Sequence, residues 1–77
     1  MTQDEEDRWT EHTKNLLKSE LKRRGLSYED LADKLESIGV SLTTKALINK
    51  VSRGGFSASF FLMCMAALGV KTLSLEP

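Results

Sequence analysis

The feature that most constrains the fold is a pair of short amphipathic segments between residues 26 and 54, separated by a turn at Gly39. Apolar residues of the first segment recur at helical spacing, and glycine commonly follows the last turn of a helix. In the second segment, Leu47, Ile48 and Val51 form an apolar stripe in front of a Gly-Gly pair. The first stripe consists of Tyr28, Leu31, Ala32, Leu35 and Ile38. The pattern predicts two helices that pack through these stripes and are joined by a turn.

A further helix is predicted before this pair. Apolar residues at helical spacing indicate a first helix from about Arg8 to Arg24, which ends at Gly25. The acidic residues just before that start favour the positive end of the helix dipole. A chain of 77 residues allows one domain. We therefore expect an acidic tail over residues 1–7 and a single helical domain over residues 8–77.

A fourth helix is predicted after the Gly-Gly pair. Ser57 resembles an N-cap, and Phe56 and Phe61 flank it as a hydrophobic staple does, so the helix is expected to begin near Ala58. Every residue from 60 to 68 is apolar. Such a helix is either wrapped on all sides by the other helices or partly buried in a second subunit.

Three short helices can hardly cover this fourth helix all round, and apolar surface left on a small domain often mediates symmetric pairing. We therefore expect a homodimer, with a fully intramolecular core as the alternative. Residues 70–75 alternate with period two, which predicts a short strand paired with the same segment of a second copy, or else a last helical turn. The predicted dimer interface comprises Phe60, Phe61, Met63, Met65, Leu73 and Leu75.

Charge is unevenly distributed along the chain, although the formal net charge is zero. Residues 1–13 hold five carboxylates and one arginine, a net charge of −4. Residues 14–55 hold nine Lys or Arg and five carboxylates, a net charge of +4. This asymmetry is compatible with a nucleic-acid-binding face beside an acidic tail, and equally with two solvated surfaces.

The third predicted helix carries polar side chains opposite its apolar stripe and contains no acidic residue. An amide such as that of Asn49 can pair with adenine, Lys or Arg can bind guanine or phosphate, and a Thr methyl can contact the thymine methyl. The alternative is an ordinary solvated helix face. The predicted DNA-binding residues are Thr43, Thr44, Lys45, Asn49, Lys50 and Arg53.

Several short motifs resemble the Cro and lambda-repressor-like helix-turn-helix family over about residues 17–70. They read Leu31-Ala32 in the second helix, Gly39-Val40-Ser41 in the turn, Arg53-Gly54 after the third helix, and ALGV at residues 67–70. The chain also resembles a small bacterial family of unknown function, in which stretches similar to RGLSYEDLA and RGGFSASFF are typical. The first resemblance implies an all-α, four- to five-helix bundle in which the third helix reads DNA.

The sequence departs from the first family's pattern in two ways that affect the predicted DNA-binding face of the third helix. Tyr28 stands where that family often has a glutamine that helps to hold phosphate, and the turn is longer than usual. A longer turn lengthens the third helix or tilts it away from a DNA groove. The runner-up function is therefore a helical protein-interaction or dimerisation module with this fold and no DNA binding.

Other classes of protein find little support in the sequence. One His12, one Cys64 and scattered carboxylates provide no catalytic triad, metal-ligand spacing or phosphate loop, so we expect no enzyme, metal, cofactor or small-molecule substrate. No apolar run approaches the length of a membrane span. A single cysteine and the absence of a signal-peptide pattern favour the cytoplasm.

Overall fold

The computed structural model describes residues 2–75, so the outer ends of the predicted tail and domain, residues 1 and 76–77, lie outside the described residues. The described chain contains four helices and no strand. These are α1 (Gln3–Arg24), α2 (Tyr28–Ser37), α3 (Thr44–Arg53) and α4 (Ala58–Leu68). Helix α2 packs against both α3 and α4, and α4 also packs against α1. The prediction of a small all-helical domain is confirmed.

Helices α2, α3 and α4 each begin directly after an N-cap residue. The hydroxyls of Ser27, Thr43 and Ser57 each accept a hydrogen bond of 3.1 Å from the backbone N–H three residues later. These bonds satisfy amides that have no partner within the helix. The ends of α1 and α3 also follow the prediction, since Gly25 and Gly54 take the left-handed conformation after the last turn.

Helix α1 begins at Gln3, so the predicted start near Arg8 is wrong by five residues. Residues 3–7 are helical and do not form a tail in front of the helix. The hydroxyl of Thr2 caps the new start by accepting a hydrogen bond from the backbone N–H of Glu5 at 3.2 Å. The carboxylates of the first turn stabilise the helix through its dipole.

The core consists of the facing stripes of all four helices, but two residues of the predicted stripes do not belong to it. Leu47 and Val51 are fully buried as predicted. Ile38 is 48% exposed because α2 ends at Ser37, one residue earlier. Ile48 is 40% exposed on α3. The buried apolar residues are Leu17, Leu21, Leu31, Ala32, Leu35, Leu47, Val51, Phe60, Cys64, Met65 and Leu68.

Helix α4 is largely covered within one chain, including some of its predicted dimer-interface residues. Phe60 and Met65 are each 5% exposed and pack into the core, so they have little surface left for a second copy. Phe61 and Met63 are partly buried against the same core. Leu62 is the large apolar side chain of α4 that does project into solvent.

The strand predicted for residues 70–75 is absent from the described chain. The segment has no regular structure and lies against the first helix, where the ring Nε2 of His12 is 3.2 Å from the carbonyl oxygen of Leu75. Leu73 is partly buried against the core, whereas Leu75 is exposed. Since the described residues offer no second strand, the backbone has no ladder to join, and side-chain packing holds the segment instead.

Candidate nucleic-acid interface

Helix α3 presents a polar face to solvent on the side opposite its buried stripe. Lys45, Asn49 and Ser52 are all exposed and lie at intervals of four and three residues, which places them on one line along the helix. Thr44, at one edge of this face, is partly buried. The sequence therefore identified the exposed side of α3 correctly, because Leu47 and Val51 fix which side faces the core.

The side chain of Thr43 caps the N-terminus of α3. Its hydroxyl oxygen accepts the capping hydrogen bond from the backbone N–H of Ala46. The hydroxyl proton and the methyl group remain for other contacts. Thr43 thus fixes the first turn of α3, the turn that carries Thr44 and Lys45 at the front of the exposed face.

The three cations of α3 differ in their surroundings. The Nζ atom of Lys50 lies 5.0 Å from the centre of the Phe60 ring, a cation–π contact that holds its side chain against α4. Lys45 and Arg53 take part in none of the ion pairs found among residues 2–75, all of which lie within α1. Lys45 and Arg53 therefore have their charges available for a ligand, whereas Lys50 is partly engaged.

Ile48 is a member of this face that the sequence interpretation missed. Its side chain is 40% exposed and lies one turn from both Thr44 and Ser52. An exposed aliphatic group among hydrogen-bonding side chains can contact the methyl group of thymine. The sequence indicates this exposure only through position, because Ile48 lies at the edge of the apolar stripe, next to the fully buried Leu47.

The end of α3 is fixed against the first helix by a close backbone contact. A Cβ atom built on Gly54 would lie 2.8 Å from Thr10 Cγ2 and 3.2 Å from the Thr10 carbonyl oxygen. Glu6 lines the adjoining cleft together with Gly54 and Gly55. The acidic N-terminal half of α1 therefore lies beside the C-terminal end of α3. Lys45 is at the opposite end of α3, away from these carboxylates.

Basic residues of α1 meet the start of α2 on another side of the molecule. Lys18, Lys22 and Tyr28 line a shallow cleft of about 450 Å³. Burial raises the pKa of the Tyr28 hydroxyl, and the charge of Lys14 opposes that shift. The phenol therefore stays protonated at neutral pH and can donate a hydrogen bond to an anion.

Some of the predicted dimer-interface residues surround a groove beside α1. Phe61, Leu73 and Leu75 line it together with Trp9 and Leu16, and its volume is about 460 Å³. Met63 lies outside this groove and packs on the core. The structure thus brings three of the six predicted interface residues to one surface.

The cysteine lies in the core. Cys64 is fully buried, and burial raises the pKa of its thiol to about 11. Within residues 2–75, no group of three or more His, Cys, Asp or Glu side chains is placed to hold a metal ion. None of the four helices in this range combines the length and the apolar character needed to cross a membrane.

The fold and this surface define the class as a small all-α domain of four helices whose third helix presents a polar face free of carboxylates. Residues 9–73 match the model of a family described as a domain of unknown function (DUF6471). Because that match spans most of the chain, the protein belongs to this family. No curated protein and no solved structure matches the chain.

Proposed function

We propose that this protein is a sequence-specific DNA-binding protein that regulates transcription and reads a short inverted repeat as a homodimer. The observation that carries the proposal is the exposed face of α3, where Lys45 and Asn49 stand in line and no carboxylate lies on the helix. Every other helix of the described chain carries acidic residues on its surface or is almost wholly apolar.

In this mechanism α3 enters the major groove, and different side chains contact the bases and the phosphates. Thr44, Lys45 and Asn49 reach base edges, with the Asn49 amide suited to adenine. Arg53 and Lys50 neutralise phosphates and fix the register of the helix on the duplex. Ile48 adds an apolar contact for a thymine methyl. The cap at Thr43 holds the first turn of α3 in place for these contacts.

The proposed arrangement is a helix-turn-helix of the lambda-repressor-like kind, formed by α2 and α3. These helices pack against each other and are joined by residues 38–43. The connection is longer than the three- to four-residue turn common in this motif. Gly39 supports it with a positive φ of 89°, and the backbone N–H of Val40 donates back to the carbonyl of Leu35.

Two copies are needed for the proposed target. In a two-fold dimer the two α3 helices would enter successive major grooves on one face of the duplex, about 34 Å apart. The target is therefore an inverted repeat with half-sites about one turn apart. The proposal includes a cytoplasmic location, which the single buried, unpaired Cys64 supports.

The test is selection of bound duplexes from a random pool, followed by fluorescence anisotropy on the enriched sequence. We expect an inverted repeat, and we expect Asn49→Ala to weaken binding about tenfold for each half-site, since one bidentate base contact is worth about 1–3 kcal/mol. Lys45→Glu should weaken it further because it places a carboxylate in the groove. Both side chains are exposed, so circular dichroism should show unchanged folding.

The matched control is Lys34→Glu, which makes the same charge reversal on the exposed surface of α2. If α3 enters the groove, Lys34→Glu should affect binding much less than Lys45→Glu does. Equal losses in the two variants would indicate binding through overall charge and would exclude α3 as the reading helix. Failure of any duplex to be enriched would count against the proposal as a whole.

A second function, a helical protein-interaction module, is favoured by the acidic surface of α2. Glu29, Asp33 and Glu36 are exposed at intervals of four and three residues and form one negative line beside α3. Such a line repels a phosphate backbone. A heteronuclear NMR titration separates the two functions, because duplex should shift residues 43–53, whereas a protein partner bound to the acidic line would shift residues 29–36 and leave the exposed face of α3 unchanged.

A further inference from the structure

One face of α1, which borders the C-terminal segment at His12, carries a series of side chains with the spacing of a helix–helix seam. The series advances by four, three, four, three and four residues, which keeps its members on one side of a helix. None of these side chains belongs to the buried core. The members are Glu5, Trp9, His12, Leu16, Ser19 and Arg23.

Trp9 is the most conspicuous member of this seam. Half of its surface is exposed, although a buried tryptophan contributes more apolar contact area than almost any other side chain. Its ring meets the His12 ring edge-on, with centroids 5.6 Å apart. On one side of these two rings lies the groove that Phe61, Leu73 and Leu75 also line. Tryptophan is enriched among the residues that dominate protein interfaces.

The seam is complementary to itself when two copies run antiparallel. If the two-fold axis passes near Lys14, Glu5 faces Arg23 of the second copy, since their numbers are equally distant from 14. By the same rule Trp9 faces the small Ser19, and His12 faces Leu16. A two-fold interface requires this reciprocity, because each residue must meet the residue that meets it in return.

The overall charge of α1 follows the same antiparallel pattern. Residues 3–13 carry five carboxylates and one arginine, a net charge of −4, and residues 14–24 carry five cations and one carboxylate, a net charge of +4. The helix dipole favours such charges only in the first and last turns. Glu11 and Lys18 lie outside those turns and extend the segregation toward the middle of the helix.

From this complementarity we infer that two copies of the chain pair antiparallel through these faces of α1, with His12 and Leu16 at the centre, Trp9 against Ser19 on either side, and Glu5–Arg23 ion pairs at both ends. The inference rests on the homodimer of the proposed function and specifies where its copies meet. None of the six candidate DNA-binding residues lines the groove beside the seam. Pairing and DNA binding can therefore be disrupted separately.

The test is a charge exchange across the two-fold axis, measured by sedimentation velocity on the full chain without DNA. Glu5 and Arg23 already pair within α1, with Arg8 at 3.0 Å and with Glu20 at 3.3 Å respectively, and each retains a second oxygen or nitrogen for the partner. Glu5→Arg and Arg23→Glu should each weaken dimerisation roughly tenfold, because each converts two symmetry-related ion pairs into like-charge pairs. The double variant carrying both changes should regain dimerisation close to the unmodified level. An equimolar mixture of the two single variants should form heterodimers for the same reason.

The controls are Glu36→Arg and Lys34→Glu, which make the same charge changes on exposed positions of α2. They should leave dimerisation unchanged, and circular dichroism should show that all variants are folded. A chain that is monomeric at every concentration tested would overturn the inference. A dimer that the single changes leave intact, or that the double change does not restore, would also overturn it. Loss of DNA binding in a chain that still dimerises would count only against the proposed function.

Discussion

At the scale of single residues, Gly54 is the position with the strongest double constraint. Its φ of 70° is a left-handed value that other residues adopt at a cost, and its Cα lies close against the backbone and side chain of Thr10. The first constraint ends α3, and the second fixes that helix against α1. The orientation of the candidate DNA-binding face therefore depends on a residue without a side chain.

Replacing Gly54 by alanine should destabilise the protein more than the same change at Gly25. Both glycines have positive φ, but nothing lies within 4 Å of a Cβ built on Gly25. We expect Gly25→Ala to cost about 1 kcal/mol from the backbone conformation alone. Gly54→Ala adds a steric clash and should cost about 2–4 kcal/mol. Thermal unfolding measures the difference, and equal losses at the two sites would contradict the contact with Thr10.

The spacing of apolar residues in α3 does not predict which of two neighbouring residues is buried. Leu47 and Ile48 are adjacent aliphatic residues, and either fits the apolar stripe of α3, because neighbours on a helix differ by only about 100°. Leu47 is fully buried and Ile48 is 40% exposed. Packing against α2 determines which of the two is buried, and the spacing within α3 contains no information about that neighbour.

At the scale of helices, a local capping signal marks the start of each of the four. In α2 the cap is reciprocal, since the Ser27 hydroxyl accepts from the Asp30 backbone and the Asp30 carboxylate accepts from the Ser27 backbone N–H at 2.8 Å. Hydrogen bonds from the backbone and side chain of Ser27, together with the nearby charge of Lys34, hold the pKa of Asp30 below its usual range. The start of α2 is thereby made sensitive to acid.

Asp30 should contribute stability at neutral pH that disappears in acid. Because its pKa is lower in the folded chain, the contribution is complete above the ordinary Asp pKa of about 3.9 and is lost as the pH falls through the folded value. Asp30→Asn should therefore lower the unfolding temperature at pH 7, and the difference from the unmodified chain should shrink as the pH falls below the ordinary Asp pKa of about 3.9 and vanish once the folded carboxylate is protonated. Asp33→Asn, which lacks the cap, is the control. A difference independent of pH would contradict this role.

Helix α1 shows how a local signal can be present and still be misjudged. Helical spacing of apolar residues indicates a start near Arg8, where those residues begin, but the helix extends back to Gln3. Because residues 3–7 bury no apolar side chain, the spacing of apolar residues does not indicate that they are helical. Thr2 followed by carboxylates is the signal that marks the start, as a cap followed by an acidic first turn.

At the scale of the whole molecule, a zero net charge conceals two surfaces of opposite sign. Helix α3 bears three cations and no carboxylate, whereas the exposed side of α2 and the first half of α1 are acidic. The cleft between Glu6 and Gly54 brings the acidic half of α1 to the end of α3. A duplex approaching this molecule is therefore attracted from one direction and repelled from others.

The salt dependence of DNA binding should report how many cations reach phosphate. If about four phosphates are neutralised per copy, log affinity should fall against log salt with a slope of about −3.6 per copy. Arg53→Ala should reduce that slope by about 1, since it removes one phosphate contact. Lys34→Ala on α2 is the control and should leave the slope unchanged. A slope near zero in an anisotropy titration would exclude the proposed DNA binding.

Short-range signals in the chain specify most of the helix ends, whereas packing between the helices specifies which faces are buried. Caps at Ser27 and Ser57 and the glycine at position 54 act within a few residues, so their positions can be predicted from the chain. Before α3 the sequence offers several possible caps, and the structure shows that Thr43 is the one used. The burial of Phe60 and Met65, the exposure of Ile48 and the lack of a strand after α4 depend on residues distant in sequence. Such contacts form only when the helices pack together, and no local pattern encodes which of several apolar faces will meet.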